Sequence, residues 1–342
     1  MNLGFFPASL TNLFIKVAHS PTQPAEKSAV LSPKNRILEV SDSEFTDLLH
    51  MQSDPSVSEK LATLTLRVLN HCEIPPDVHN LPPNVEFMKD VELHTGAALE
   101  SFNAKVRGTA KFAHLSALKS IGAEAEFENL IIDSTQLSHF AGTVNKDAVF
   151  KDTYLAEFAP QAKFNGNLEV SGSRFTRFNS TVAGSASFSG VKSLQEIGVA
   201  ANIGKDLCVS HSGIRSFNGQ VGGNADFYLT SQLQEIGSSA RIGGNLIAMG
   251  SRLSKCEAKV AGAADFSNCT NLRKLAIPAS FGGNVLLSGT QVEEVTCPVG
   301  RLEARNVPSL TTTTPGLRIH TQPEARKSEV NVGLKEKLLT IE

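Results

Sequence analysis

Tryptophan is absent from this 342-residue chain and tyrosine occurs only twice, yet phenylalanine occurs 19 times and glycine 26 times. A compact core draws on its aromatics more evenly. One ring type recurring between glycines points to a small structural unit used over and over. Net charge is also nearly absent, at −2, which leaves no overall field for nucleic acid or an anionic membrane. Basic residues look dispersed along the chain, so no stripe for a phosphate backbone is expected. No apolar run is long enough to cross a bilayer. The five cysteines are odd in number and unpaired in spacing, so a secreted disulfide framework is excluded and reduced thiols are expected.

Signatures of chemistry are missing as well. There is no Walker loop, dinucleotide fingerprint, G-x-S-x-G elbow or H-E-x-x-H helix. His211 follows Cys208 by three residues without the second pair that a tetrahedral zinc site needs. We therefore expect no metal, no cofactor and no enzyme activity.

What the sequence does hold is a repeat. Phe164, Ile203, Ile242 and Phe281 follow one another at 39 residues, and Val182, Val221 and Val260 keep the same step. LQEIG occurs at 194–198 and again at 233–237, and GGN at 222–224, 243–245 and 282–284. The 39-residue period is a pair of units, one of about 18 and one of about 21 residues. Each short unit closes on apolar residues two apart, as in Leu207, Val209, Ser212, Ile214 and Phe217 or Val285, Leu287, Thr290, Val292 and Val295. That period of two marks a strand with one buried face. About twelve such units run from Val91 to Ala304, with Phe178, Phe217, Phe188, Phe227 and Phe266 in stacked inner columns. The glycines before each strand are expected to allow a tight corner or φ > 0. Asn167, Asn224, Asn245 and Asn284 behind them suit a hydrogen-bonded ladder along the stack.

The flanking segments differ. Residues 1–38 contain several prolines and serines and no acidic residue before Glu26, the composition of a disordered segment. Over 39–84 two helices are predicted: Ser41 with Glu44 and Ser56 with Glu59 have capping-box spacing. Phe45, Leu48 and Leu49 form one apolar face and Val57, Leu61, Leu64 and Val68 another. Together they would cap the first repeat. The solenoid is predicted over 85–310 and a C-terminal cap or tail over 311–342, with a short helix through Val332, Leu334, Leu338 and Leu339.

The frame LxLxx(N/C)xL carried by these units resembles the leucine-rich repeat. Ser173, Ser212, Ser251 and Thr290 stand at the Asn position, and Cys269 stands there in the long unit Asp265–Leu275. In that family the side chain turns inward and satisfies backbone groups after the strand. The resemblance implies a mainly β solenoid with an N-terminal helical cap. Two departures leave a second form open, a right-handed parallel β-helix. The first apolar position precedes the strand by four residues rather than three, and the Gly- and Ser-rich return side has no helical signal.

A repeat array offers a surface, and the outward strand positions locate it. Tyr228, Ile247, Met249 and Leu286 are expected to form an exposed apolar patch rimmed by the carboxylates Glu169, Asp206, Asp226 and Asp265. The disordered, acid-free start, the helical cap and the short repeats resemble bacterial type III-secreted leucine-rich-repeat effectors. The resemblance implies delivery into the host cytoplasm and capture of a host protein. The Leu-Pro-x-Leu-Pro pattern and the ubiquitin-ligase domain of those effectors are missing. Two other readings stay open. One is a scaffold of the bacterial cytoplasm that forms a homo-oligomer through the solenoid ends. The other is a polysaccharide-active β-helix using the rim carboxylates.

Overall fold

The computed structural model describes residues 37–62, 64–82, 84–313 and 319–320. It is the mainly β solenoid that the periodicity predicts, with parallel strands in about 13 turns of roughly 19 residues. The chain divides into two compact units, one ending at Asn167 and the other beginning at Leu168.

The first unit opens with β1 (Ile37–Val40), paired in parallel with β2 (Thr65–Val68). Between them lie α1 (Asp42–Met51) and α2 (Pro55–Leu61). α1 starts as the sequence predicts. Ser41 Oγ accepts the Glu44 N–H, and the Glu44 carboxylate accepts the Ser41 N–H at 2.9 Å. Phe45, Leu48 and Leu49 are buried, and Phe45 meets Phe87 edge-on with ring centroids 5.4 Å apart. α2 departs from expectation at both ends. Its N-cap is Asp54, whose carboxylate accepts the Ser56 N–H at 2.8 Å, and Pro55 takes the first helical position, where its missing N–H costs nothing. The helix also stops at Leu61. Leu64, Leu66 and Val68 are all buried. Leu64 lies in the turn that ends the helix, its N–H on the Leu61 carbonyl at 3.1 Å, and Leu66 and Val68 are inward positions of β2 rather than of a helix. The helical pair is thus an insertion between the first two parallel strands, and solenoid turns begin well before residue 85. Residues 1–36 lie outside the described residues, as does the helix expected through Val332–Leu339.

From Val85–Phe87 onward each strand stacks on the next: Lys105–Ala113, Glu126–Asp133, then Thr143–Val144 with Ala148–Lys151. Phenylalanines fill the interior in contact groups, Phe102 with Phe112 and Phe127, and Phe140 with Phe150, Phe158 and Phe164, at centroid distances of 4.8–6.2 Å. Outside, an ion-pair ladder climbs the turns. Arg67 lies between Glu39 and Glu86 at 3.4 and 3.3 Å, and Arg107 between Glu86 and Glu126 at 2.8 and 3.1 Å.

In the second unit the turn is regular, with three short strands. The first column is Thr181–Val182, Asn202–Ile203, Gln220–Val221, Arg241–Ile242 and Lys259–Val260. The second is Leu168–Ser171, Ala186–Ser187, Leu207–Cys208, Ala225–Asp226, Leu246–Ile247 and Ala264–Asp265. The third is Arg177–Phe178, Glu196–Ile197, Ser216–Phe217, Glu235–Ile236 and Lys255–Cys256. Of the two forms left open, three strand columns per turn make the β-helix form. The apolar residue four places before the second column has a column of its own, and the return side is paired strand rather than unpaired extended chain.

Polar groups inside and at the corners are satisfied by the repeat itself. Thr230 and Thr290 hydroxyls donate to the carbonyls of Phe227 and Leu287 at 2.7 Å, and the Cys269 thiol donates to the Ala248 carbonyl at 3.1 Å. These are the inward roles expected of that column. The Asn ladder is also present and recruits other residues. Asp206 Oδ1 accepts the Asn224 N–H at 2.7 Å, Asn224 Oδ1 the Asn245 N–H, and Asn245 Oδ1 the Ala263 N–H, both at 2.8 Å. The GGN glycines answer a different need from the one expected. None of Gly222, Gly243 and Gly282 has positive φ. A Cβ at Gly222 would instead collide with the Gly204 carbonyl one turn earlier.

Two predictions follow from this packing. Phe227 is fully buried, and Phe227→Ala costs on the order of 3 kcal/mol, read as a lower guanidinium midpoint. In the ion-pair ladder, burial alone would raise the Glu86 and Glu126 pKa values. Bonds and charges from Arg107 and Arg67 outweigh burial at Glu86, and those from Asn145, Arg107 and Lys105 outweigh it at Glu126, so both lie below the usual glutamate range. Their contribution to stability is therefore present above the unfolded carboxyl value of about 4.3 and is lost as pH falls through the folded values. Arg107→Met costs about 1 kcal/mol at neutral pH. The difference from the unchanged protein shrinks as the urea midpoint is measured at successively lower pH below 4.3.

Candidate protein-binding surface

The corner that follows the second strand column forces one residue per turn into the left-handed region. In the second unit these residues are Gly172, Gly190, His211, Leu229, Gly250, Asn268, Gly289 and Asn306, with φ between 49° and 74°. Glycine and asparagine suit that conformation, whereas a bulky side chain there costs roughly 1–2 kcal/mol. Leu229, at φ 52°, is the one aliphatic residue in the series, and its side chain is 41 % exposed. It lies over Gly250 of the next turn, where a Cβ would strike its Cδ2. A strained residue exposing its apolar surface is not explained by packing, and such residues concentrate where a surface is used.

Its neighbours extend the surface. The Leu229 N–H donates to the Met249 carbonyl at 3.0 Å, which places Tyr228 and Met249, both half-buried, on adjacent turns. The Tyr228 ring meets the exposed His211 imidazole edge-on at 5.5 Å. Tyr228, Leu229 and Met249, with the polar imidazole of His211 at one end, thus form one strip across three consecutive turns.

Only part of the patch predicted from sequence is assembled this way. Tyr228 and Met249 come together; Ile247 and Asp265 do not join them, since each is only 5 % exposed. Side chains of one column stand about 4.8 Å apart, so Ile247, held in register between Asp226 and Asp265, is shaded from both sides. Leu286 is half-buried one turn beyond Asp265 and cut off from Ile247 by it. The carboxylates are engaged with the backbone. Asp226 Oδ1 accepts the Tyr228 N–H and Asp265 Oδ1 the Ser267 N–H, each at 2.8 Å, while Asp206 belongs to the corner ladder. Glu169 is half-buried opposite Ser187, away from the strip.

Nucleophile chemistry finds little support in the same region. Cys208 is 8 % exposed; burial raises its thiol above the ordinary range, and Asp226 adds to the rise. Cys256 and Cys269 occupy the interior, pushed up to about 12 and about 11 by burial. All five cysteines are free and buried. No group of three or more His, Cys, Asp or Glu suited to a metal ion occurs among the described residues.

Beside the strip lies a feature that linear reading of the chain missed. The corner segments 171–176, 189–195, 210–215, 228–234, 249–254 and 267–273 contain no Asp or Glu but hold Arg174, Lys192, Arg215, Arg252 and Arg273. At the third-column edge Arg177, Lys255 and Lys274 stand in register beside Glu196, Glu235 and Glu294. Arg177, Lys255 and Lys274 pair with Glu196, Glu235 and Glu294 of the third column. Lys192, Arg215, Arg252 and Arg273 are exposed. Each turn contributes only one or two of these cations in some twenty residues, so the sequence spreads them while the coil gathers them on one corner. The turn of Leu229 interrupts the series: it carries Ser231, Gln232 and Gln234 instead.

Leu229→Asn should stabilise the protein by about 1 kcal/mol through relief of left-handed strain, observed as a higher thermal midpoint with unchanged circular dichroism. No family model, curated protein or solved structure matches this chain.

Proposed function

We propose that this chain is a protein-binding repeat scaffold, not an enzyme, and that the strip formed by His211, Tyr228, Leu229 and Met249 receives the partner. The observation that carries this reading is Leu229, an exposed aliphatic side chain held in a strained corner conformation that the other turns of the second unit give to glycine, asparagine or, at residue 211, histidine. Rings and flexible thioether side chains beside an apolar anchor suit protein recognition. Engagement of Asp206, Asp226 and Asp265 with backbone N–H groups supports a structural rather than a glycosidic role for them.

A bacterium secretes the chain into the host cytoplasm, where it acts as a leucine-rich-repeat-like effector on a host protein, with the segment 1–38 as the export signal. The acid-free, proline- and serine-containing start supports this.

Tyr228→Ala combined with Met249→Ala is expected to abolish saturable partner capture from host lysate while the thermal midpoint stays within a few degrees. Undiminished capture by the folded double variant places the binding surface elsewhere. For export, residues 1–50 fused to a translocation reporter should reach host cytoplasm from a strain with a working type III apparatus. Failure of delivery removes the effector reading.

A further inference from the structure

Resting on the scaffold reading above, we infer the chemistry of the partner: an extended acidic segment in which an apolar side chain is flanked by carboxylates about three residues apart. Two features of the second unit carry this inference. The first is the apolar strip on the turn of Leu229. The second is the basic corner beside it, in which exposed Arg215 precedes that turn and exposed Arg252 and Arg273 follow it, while the carboxylate of the turn between them, Glu235, is paired with Lys255.

The order of these turns is fixed by backbone bonds. The Gln234 N–H donates to the Arg215 carbonyl at 2.9 Å and the Ser254 N–H to the Gln234 carbonyl at 3.0 Å. The turns of Arg215 and Arg252 are therefore two steps apart, with the turn of Leu229 between them. Two steps of about 4.8 Å equal roughly three residues of extended chain. Arg252 stands two residues before Ser254 and Leu229 five before Gln234, so the cations lie beside the strip. A segment laid across the turns can thus reach Arg215 and Arg252 with two carboxylates and turn an apolar side chain sideways onto Leu229 and Tyr228. Arg273, one turn further on, accepts continued acidity; its guanidinium already donates to the Thr270 carbonyl at 2.7 Å and so is held in place.

The negative groups nearest the corner already have partners: Glu196 pairs with Arg177 at 3.2 Å and Glu235, whose N–H bonds the Arg215 carbonyl, pairs with Lys255 at 2.9 Å. Asp226 and Asp265 are turned to the N–H groups of Tyr228 and Ser267, and Asp265 is buried. They also argue against a nucleic acid. A continuous phosphate chain would meet cations on only some turns, an apolar leucine where the series lapses, and the Asp226 carboxylate beside it. A flat anionic membrane likewise matches a broad basic field rather than a row of single arginines interrupted by an apolar residue.

The test uses the full chain and a fluorescent, end-blocked dodecapeptide containing Glu-Leu-Ala-Glu, read by anisotropy at low salt. Companion probes carry Lys for Glu or Ala for Leu; a single-stranded oligonucleotide and phosphatidylserine vesicles test the other polyanions. The acidic peptide should bind, weaken about tenfold in Arg215→Glu/Arg252→Glu, and weaken similarly when its Leu is Ala or when Leu229 is Gly. The charge-reversed variant should in turn prefer the Lys peptide, a rescue that a merely unfolded variant cannot give. Equal affinity for acidic and basic peptides, unchanged binding by the double Glu variant, or preference for the oligonucleotide or vesicles overturns the inference. The scaffold reading is separable. If partner capture is lost in Tyr228→Ala/Met249→Ala but untouched by Arg215→Glu/Arg252→Glu, the scaffold stands and the acidic partner falls.

Discussion

Parallel backbone pairing between consecutive turns is the constraint from which the rest of this structure derives. Once the N–H groups of one turn are committed to the carbonyls of the next, every position meets its own counterpart in the neighbouring turn. The inner columns must then fill one cross-section with like residues, which is why phenylalanine recurs and tryptophan does not. Corner positions come under the same rule. An Asn or Asp oxygen meets the backbone N–H of the next turn along the ladder from Asp206 to Ala263, and Gly222 is bare because the carbonyl of the preceding turn occupies the space of its side chain.

Much of this was legible in the residues because the constraint is itself periodic. Columns such as Leu207, Val209 and Phe217 reveal their inward direction by recurrence, and Ser212, Ser251 and Thr290 reveal a polar position in an otherwise apolar frame. The number of strands per turn was harder to read. Two-residue strands are too short to show alternation, so Asn202–Ile203 looks like a displaced repeat position rather than a strand column. At the start of the chain, Val68 fits a helical stripe and a strand equally well. The partner Val85–Phe87 decides for the strand, and no local pattern could.

The surface was the least legible part, for a related reason. Outward direction follows from alternation, but exposure depends on what stands above and below. Ile247 and Asp265 point the same way as the half-buried Glu169 and Leu286 yet are covered. The backbone conformation of Leu229 was readable in principle, since Gly250, Asn268 and Gly289 mark its column at steps of 18 and 21 residues. The basic corner required the coil itself, because it joins residues of successive turns that lie some twenty positions apart.

The alternation of short and long units also bears on how such a chain can change its length. Gly198 and Gly237 lack side chains where Asn179 and Asn218 of the preceding turn reach toward them. A bare position is therefore matched to an amide one turn before it, and adjacent turns are not interchangeable. Between Asn179 and Gly237, loss or duplication of a single turn would set an amide against a side chain, or a bare position against no amide, whereas a step of 39 residues restores the match. The pattern stops at Glu257, 39 residues after Asn218. Within that stretch the pair of turns, rather than the single turn, is the unit that can be gained or lost without a mismatch.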